Sequence, residues 1–212
     1  MRISIIFHSL HGHGYRMARE IRQGALEIPG TSVEMYRVRE LLSETQLKEI
    51  GAWEACREFA DLPVADLEAL RGADGVILGA PTYFGMPSSQ MMAFLNEASP
   101  LWEKGSLVGK PGSAFTTASE QNGGQETCLH ALHTFFFHQG MPALSLPSDL
   151  GTAEMHVDNI PVGGYVYGAS MITGGMNDRE ITPEEIRIAR LQGRFVAGFT
   201  RDLETGRRMN QK

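Results

Sequence analysis

Cysteine, positive charge and uninterrupted apolar runs are all scarce in this 212-residue chain. Its two cysteines, Cys56 and Cys128, are too far apart for a CxxC redox or zinc motif, so reduced thiols are expected. Lys and Arg number 19 against 25 Asp and Glu, which gives a formal charge of −6. Because phosphate neutralisation needs clustered cations, this balance argues against nucleic acid as a partner.

The longest charge-free segment, 127–148, is long enough to span a membrane, but its composition is not typical of a membrane helix. It carries three histidines, Gly140, Pro142 and Pro147, which suit a helix followed by a strand. The N-terminal apolar stretch 3–7 is too short for a secretory signal, and no small-residue cleavage site follows it. We therefore expect no integral membrane segment and a cytoplasmic location.

Short apolar segments alternate with helical patterns five times along the chain. This order predicts an α/β fold, a five-stranded parallel sheet with helices on both faces. We expect one domain over 1–206, a tail over 207–212, and insertions near 39–63 and 147–165. The predicted strands are 2–7, 31–38, 75–81, 112–117 and 141–146, and the predicted helices are 15–28, 44–50, 64–70, 88–96, 125–139 and 182–203.

Sheets of this kind bind ligands at the carboxyl ends of their strands, so the loops there are the candidate site. The first loop is Ser9-Leu10-His11-Gly12-His13-Gly14. A hydroxyl, two glycines and a helix N-terminus can hold a single terminal phosphate. The spacing fits neither the dinucleotide GxGxxG motif nor the P-loop. A tight turn that binds nothing is the alternative for the first loop.

Two further loops follow strands three and four of the prediction. Tyr83 and Phe84 could flank a flat heterocycle, or simply pack against the next helix. The hydroxyls and glycines of the next loop could present backbone N–H groups to a polar ring edge, or form a plain flexible loop. The candidate residues are Pro81, Thr82, Tyr83, Phe84 and Gly85 in one loop, and Thr117, Ala118, Ser119, Glu120, Asn122, Gly123 and Gly124 in the other.

Histidines are frequent, but their surroundings do not favour a metal. His8, His11 and His13 have no carboxylate or thiol beside them in sequence, so we expect no metal site. His138, at the end of a predicted helix, is a candidate to reach a ligand edge. Trp102 lies in a polar, glycine-containing segment, which favours a surface or interface role over the core.

With these loops in view, the sequence resembles the flavodoxin-like NAD(P)H:quinone oxidoreductases of the WrbA type. The resemblance covers most of the chain apart from 39–63. It rests on stretches in matching order: Gly79-Ala-Pro-Thr-Tyr-Phe-Gly-Met, Gln90-Met-Met-Ala-Phe-Leu, Leu101-Trp102 with Gly105, Gly123-Gly-Gln-Glu-Thr127, His138-Gln-Gly-Met141, Tyr167-Gly-Ala169 and Ala189-Arg-Leu-Gln-Gly193.

The resemblance implies a flavodoxin-like three-layer sandwich that holds FMN, usually as a homotetramer, and passes two electrons from NADH or NADPH to a quinone. Carried over by position, 9–14 would hold the FMN phosphate, and 82–84 would border the isoalloxazine. The 117–124 loop would line its polar edge. His138 matches a flavin-site histidine and is the candidate proton donor. Trp102 matches a tryptophan on the open substrate face.

The chain departs from the family's pattern at four places, one of which is the insertion 147–162. The family usually has Tyr where His11 stands and Arg where Tyr83 stands. Its third loop is Gly/Thr-rich and one residue shorter, whereas Ser119-Glu-Gln-Asn122 here adds a carboxylate. Two other functions therefore stay open, a flavodoxin-like FMN electron carrier and a flavin-binding regulatory protein without turnover.

Overall fold

The computed structural model describes residues 1–146, 162–164 and 166–210, and most of the predicted insertion 147–165 lies outside them. Within these residues the chain forms a seven-stranded sheet whose main path runs β2-β1-β3-β5-β6, all neighbours being parallel. The strands are β1 (Arg2–Phe7), β2 (Ser32–Arg37), β3 (Gly75–Tyr83), β4 (Met86–Pro87), β5 (Gly112–Ala118), β6 (Ala143–Leu144) and β7 (Ser170–Ile172).

The five predicted strands are those of the main path, and the two additional strands are short. β4 forms an antiparallel hairpin with the end of β3. β6 pairs with the start of β5 and β7 with its end, so two short strands share one edge of β5. The position beside β5 in the sheet is thus shared by β6, which precedes segment 145–169 in the chain, and β7, which follows it. Three residues of β7 are too few to show a strand pattern in sequence.

The helices lie on both faces of the sheet, as the α/β prediction requires. They are α1 (His13–Leu26), α2 (Glu44–Glu49), α3 (Trp53–Arg57), α4 (Leu67–Arg71), α5 (Ser89–Asn96), α6 (Ser99–Glu103), α7 (Gln125–His138) and α8 (Pro183–Asn210). The five-residue helices α3 and α6 were not predicted, because one turn carries too little periodicity.

The predicted tail was wrong over most of its length, since α8 continues to Asn210. Arg207 donates to the carbonyl oxygen of Gly109 at 2.7 Å and contacts Glu204 at 2.7 Å. The contact with Gly109 holds the last turns against the body of the protein, and Gly206 within these turns does not interrupt the helix.

The alternation of side chains along β1 shows how the core divides into two layers. Ile3, Ile5 and Phe7 are buried among residues of α1 and α8. Ile6 is buried on the other face, in the cluster that includes residues of α4, α5 and α7. Successive strand residues point to opposite faces, so a strand covered on both sides is apolar throughout. In the described residues, no helix has both the length and the hydropathy to cross a membrane.

Candidate functional site

A cleft of about 510 Å³ opens at the carboxyl ends of β1, β3 and β5. This is the edge at which parallel sheets present their loops to ligands. All three predicted loops contribute to its walls. The lining residues are Ser9, Leu10, His11, His13, Gly14, Pro81, Thr82, Tyr83, Phe84, Thr117, Ala118, Ser119, Glu120, Gly123, Thr173, Gly175 and Asn177.

The first loop leads directly into α1 and leaves that helix without a side-chain cap. Gly12 is the N-cap residue, with φ 82°, and no side chain accepts from the first turn. Ser9 Oγ and His13 Nε2 are buried and have no hydrogen-bond partner among the described residues. Uncapped N–H groups at a helix N-terminus attract an anion, and buried polar atoms rarely go unpaired. The loop therefore has the donors and the polarity for a phosphate.

Position 14 needs a glycine because the backbone at His8 and the side chain of Ser9 pass very close to it. A Cβ built on Gly14 would lie 2.7 Å from the carbonyl oxygen of His8 and 3.2 Å from Cβ of Ser9. Behind the loop, Leu10 packs against Leu47 and Ala52 of the 39–63 segment. That segment thus supports the first loop from its far side.

Hydrogen bonds centred on Glu40 link the end of β1 to this same segment. His8 Nε2 lies 3.0 Å from Glu40 Oε2, and Gln90 Nε2 donates to Oε1 at 2.6 Å. The N–H groups of Leu41 and Leu42 also donate to Oε1. Burial opposes ionisation, but the hydrogen bonds from His8, Gln90 and Leu42 prevail and lower the pKa of Glu40 to about 2. Sequence reasoning missed this group, since its partners are far apart in the chain.

The imidazoles of the first loop are uncharged near neutral pH. Burial lowers the pKa of His11. Burial and then the charge of Arg16 lower the pKa of His13, against an opposing hydrogen bond with the backbone of Arg179. Because an unperturbed histidine titrates near pH 6.5, both side chains act as neutral hydrogen-bonding groups.

The second loop is a two-residue hairpin between β3 and β4. Phe84 and Gly85 both have positive φ, 51° and 80°, as a type I′ turn requires. Tyr83 and Phe84 line the cleft, and the side chain of Phe84 is fully exposed. A non-glycine residue in the left-handed region, with an exposed aromatic ring, is typical of functional sites. The alternative interpretation, in which this ring packs against the next helix, is thus not observed.

The third loop is ordered by hydrogen bonds of its own backbone. The carbonyl oxygen of Glu120 accepts from Gln125 Nε2 at 2.8 Å and from the N–H of Gly123 at 3.3 Å. Thr82 Oγ1 donates to the carbonyl oxygen of Gly124 at 3.4 Å, which joins the second and third loops. The loop is therefore a defined wall of the cleft rather than a loose connection.

A fourth wall comes from residues that sequence reasoning did not assign: Thr173, Gly175 and Asn177. The N–H of Thr173 donates to the carbonyl oxygen of Ala118 at 2.7 Å, and Thr173 Oγ1 donates to Asn177 Oδ1 at 2.9 Å. The buried carboxylate of Glu185 accepts from Ile172, Arg179 and Thr182 and so anchors this segment. The sequence feature that could have indicated this wall is the Gly174-Gly175 pair, which precedes the capping box at the start of α8.

Several predicted site residues frame the cleft without lining it. Gly12 caps α1, Gly85 shapes the hairpin, and Gly124 caps α7. Asn122, with φ 56°, and Gly124 line an adjoining cavity on the other side of the third loop.

The two predicted catalytic residues lie outside the cleft of this one chain. His138 is the exposed last residue of α7, and the first residue of that helix, Gln125, follows the third loop. Fourteen helical residues separate the two ends by about 20 Å. Trp102 is 59% exposed in α6 and is likewise absent from the lining. Within the described residues no group of three or more His, Cys, Asp or Glu side chains could hold a metal.

Comparison with known proteins agrees with this geometry. Residues 1–149 match the family model described as NADPH-dependent FMN reductase. An NAD(P)H dehydrogenase (quinone) of Geobacter sulfurreducens is 42% identical over 197 residues, 93% of this chain and 96% of that protein. A protein of the same name from Aromatoleum aromaticum is 43% identical over 98% of this chain and 99% of its own.

Among solved structures, a WrbA-like flavodoxin from Agrobacterium tumefaciens superimposes with a TM-score of 0.64 at 23% identity. The match covers 95% of this chain and 98% of that one. At this identity the likeness shows the fold alone, and that fold is flavodoxin-like.

Proposed function

The chain belongs to the NADPH-dependent FMN reductase family, and we propose that it is an FMN-dependent oxidoreductase that transfers two electrons from NADH or NADPH to a quinone. The strongest structural support is the pair of unpartnered buried atoms, Ser9 Oγ and His13 Nε2, beside the uncapped start of α1. A terminal phosphate in this loop would satisfy both atoms.

The residues of the cleft fit the rest of FMN as well. The cleft has room for a multi-ring ligand and polar groups on several sides, as cofactor pockets do. Thr82, Tyr83 and Phe84 would border the ring system, and the 117–124 loop would line its polar edge. Bound FMN would supply the redox chemistry, accepting a hydride from the nicotinamide and returning two electrons to the quinone.

The protein's own part in the reaction is placement and shielding. The exposed ring of Phe84 can cover one side of a planar substrate, and Tyr83 forms the wall behind it. Neutral His11 and His13 can donate hydrogen bonds without adding charge to the cofactor site. These groups orient two flat molecules in turn and exclude water between them.

We further propose that the protein acts as a homotetramer in which His138 and Trp102 serve the cleft of another copy. Both side chains are exposed, and Val108 and Phe137 near them are exposed apolar residues, 63% and 66% accessible. Gly109 donates to the carbonyl oxygen of Gly140, which joins the segment after α6 to the end of α7. Light scattering should give four copies, and His138→Ala should slow quinone turnover more than it weakens FMN binding.

The two cysteines are unpaired, which agrees with our proposal of a cytoplasmic location. The acidic balance supports the expectation that nucleic acid is not a partner.

Steady-state kinetics test the function. FMN-loaded protein should oxidise NADH or NADPH rapidly only when benzoquinone is present, and removal of FMN should abolish the rate. A protein that binds FMN but gives no quinone-dependent oxidation would instead be a carrier or a regulatory protein.

A further inference from the structure

The cleft carries one formal negative charge and no formal positive charge among its described lining residues. Glu120 supplies the negative charge, and no Lys or Arg lines the cleft. His11 and His13 are neutral near pH 7, because burial lowers the pKa of each. Glu120 is therefore the one formally charged side chain among the described residues that line the cleft.

The Glu120 carboxylate is exposed, and no described cation is paired with it. Two arginines that flank the cleft are engaged with other carboxylates. Arg16 contacts Glu58 at 3.8 Å and Glu180 at 3.6 Å. Arg179 contacts Glu185 at 3.0 Å. The charge of Glu120 is thus not neutralised locally.

The position of Glu120 is set by its backbone and not by its carboxylate. Its carbonyl oxygen accepts from Gln125 Nε2 and from the Gly123 N–H. A Cβ added to Gly123 would lie 2.9 Å from that same oxygen, so the turn is compact. Replacing the carboxylate by an amide therefore changes the charge at the cleft and leaves the loop's hydrogen bonds in place.

Resting on the function proposed above, we propose that Glu120 makes this cleft select uncharged quinones over anionic ones. A carboxylate beside a partly enclosed site raises the free energy of a bound anion and leaves a neutral molecule of the same shape unaffected. For an exposed carboxylate about 6–8 Å from the bound anion, an effective dielectric constant of about 40, between the values for a protein surface and for bulk water, gives about five- to tenfold discrimination in affinity. The effect is screened by salt.

The test compares menadione with naphthoquinone sulfonate, which adds a fixed negative charge to a similar ring. Both kcat/KM and the dissociation constant of each acceptor are measured in the FMN-loaded protein, the latter by the change in flavin absorbance without a nicotinamide donor. Glu120→Gln should improve the sulfonate relative to menadione by about five- to tenfold. Raising the ionic strength should shrink the preference of the unmodified protein and change that of Glu120→Gln little.

Two control variants separate local charge from overall charge. Glu126→Gln removes one carboxylate from the first turn of α7, outside the cleft, and should leave the preference unchanged. Glu120→Asp keeps the charge and should retain the preference. An unchanged ratio in Glu120→Gln, or an equal shift in Glu126→Gln, would overturn the proposal. If no acceptor is reduced by any variant, the proposed function fails, and the binding constants still decide the role of Glu120.

Discussion

His8 Nε2 and Glu40 Oε2 lie 3.0 Å apart and join the last residue before the first loop to the beginning of the 39–63 segment. Because Gln90 donates to the other carboxylate oxygen, three separate parts of the chain meet at Glu40. The loop that precedes α1 is therefore held from behind by a charged hydrogen-bond acceptor as well as by apolar packing.

Glu40 predicts an acid-dependent loss of stability. Its pKa is lowered from 4.5 to about 2 in the folded protein, so its contribution is fully present above pH 4.5 and is lost as the pH falls toward 2. The Glu40→Gln variant should lack this component, on the order of 2 kcal/mol, in the free energy of unfolding. Urea unfolding of the FMN-free protein, repeated from pH 6 down toward pH 2, measures this contribution to the free energy of unfolding. Glu49→Gln, on the exposed end of α2, is the control and should follow the unmodified protein.

Ser9 predicts a phosphate-specific loss of cofactor affinity. Ser9→Ala removes a buried hydroxyl that has no other partner in the described part of the chain, so FMN should bind about tenfold more weakly. Riboflavin, which lacks the phosphate, should bind as before. Isothermal titration with both flavins measures the split. Ser119→Ala, in the third loop, should affect both flavins alike, and an equal loss for both in Ser9→Ala would contradict the phosphate assignment.

Gly14 predicts a steric loss of both stability and FMN binding. In a Gly14→Ala variant the new Cβ would lie 2.7 Å from the His8 carbonyl oxygen and would force the loop to shift. We expect this shift to lower the free energy of unfolding by about 1–3 kcal/mol. Gly206→Ala is the matched control, because a Cβ there meets nothing within 4 Å and the residue is helical. Thermal melts and FMN titrations of the two variants should differ in this direction; equal behaviour would show that the loop accommodates a side chain.

We predict that replacing Phe84 changes quinone binding and leaves the free energy of unfolding intact. The residue has φ 51° and a fully exposed ring, so Phe84→Gly should not lower the unfolding free energy. The KM for quinone should rise, because the ring is the outer wall of the cleft. Gln23→Gly, at an exposed position inside α1, should cost about 1 kcal/mol. A loss of stability in Phe84→Gly as large as that control would mean that the ring is a structural contact.

Sequence reasoning identified site residues most successfully where those residues directly follow a buried strand. Segments 9–14, 81–84 and 117–123 follow buried strands, so the rule that parallel strands present their carboxyl ends together was enough to bring them to one cleft. Thr173 and Asn177 were missed because their segment follows a strand of only three residues. Glu40 was missed because His8 and Gln90 are 32 and 50 residues away from it. The proposed roles of His138 and Trp102 would need a second copy of the chain, because neither residue lines the cleft of one chain.

Anaerobic mixing of the FMN-loaded protein with NADH or NADPH, followed by benzoquinone, most directly tests transfer of electron pairs through bound FMN. The flavin absorbance should bleach with one equivalent of donor and return with one equivalent of quinone. Flavin that the donor leaves oxidised, or that accumulates as a semiquinone during reduction or reoxidation, would contradict a two-electron quinone reductase.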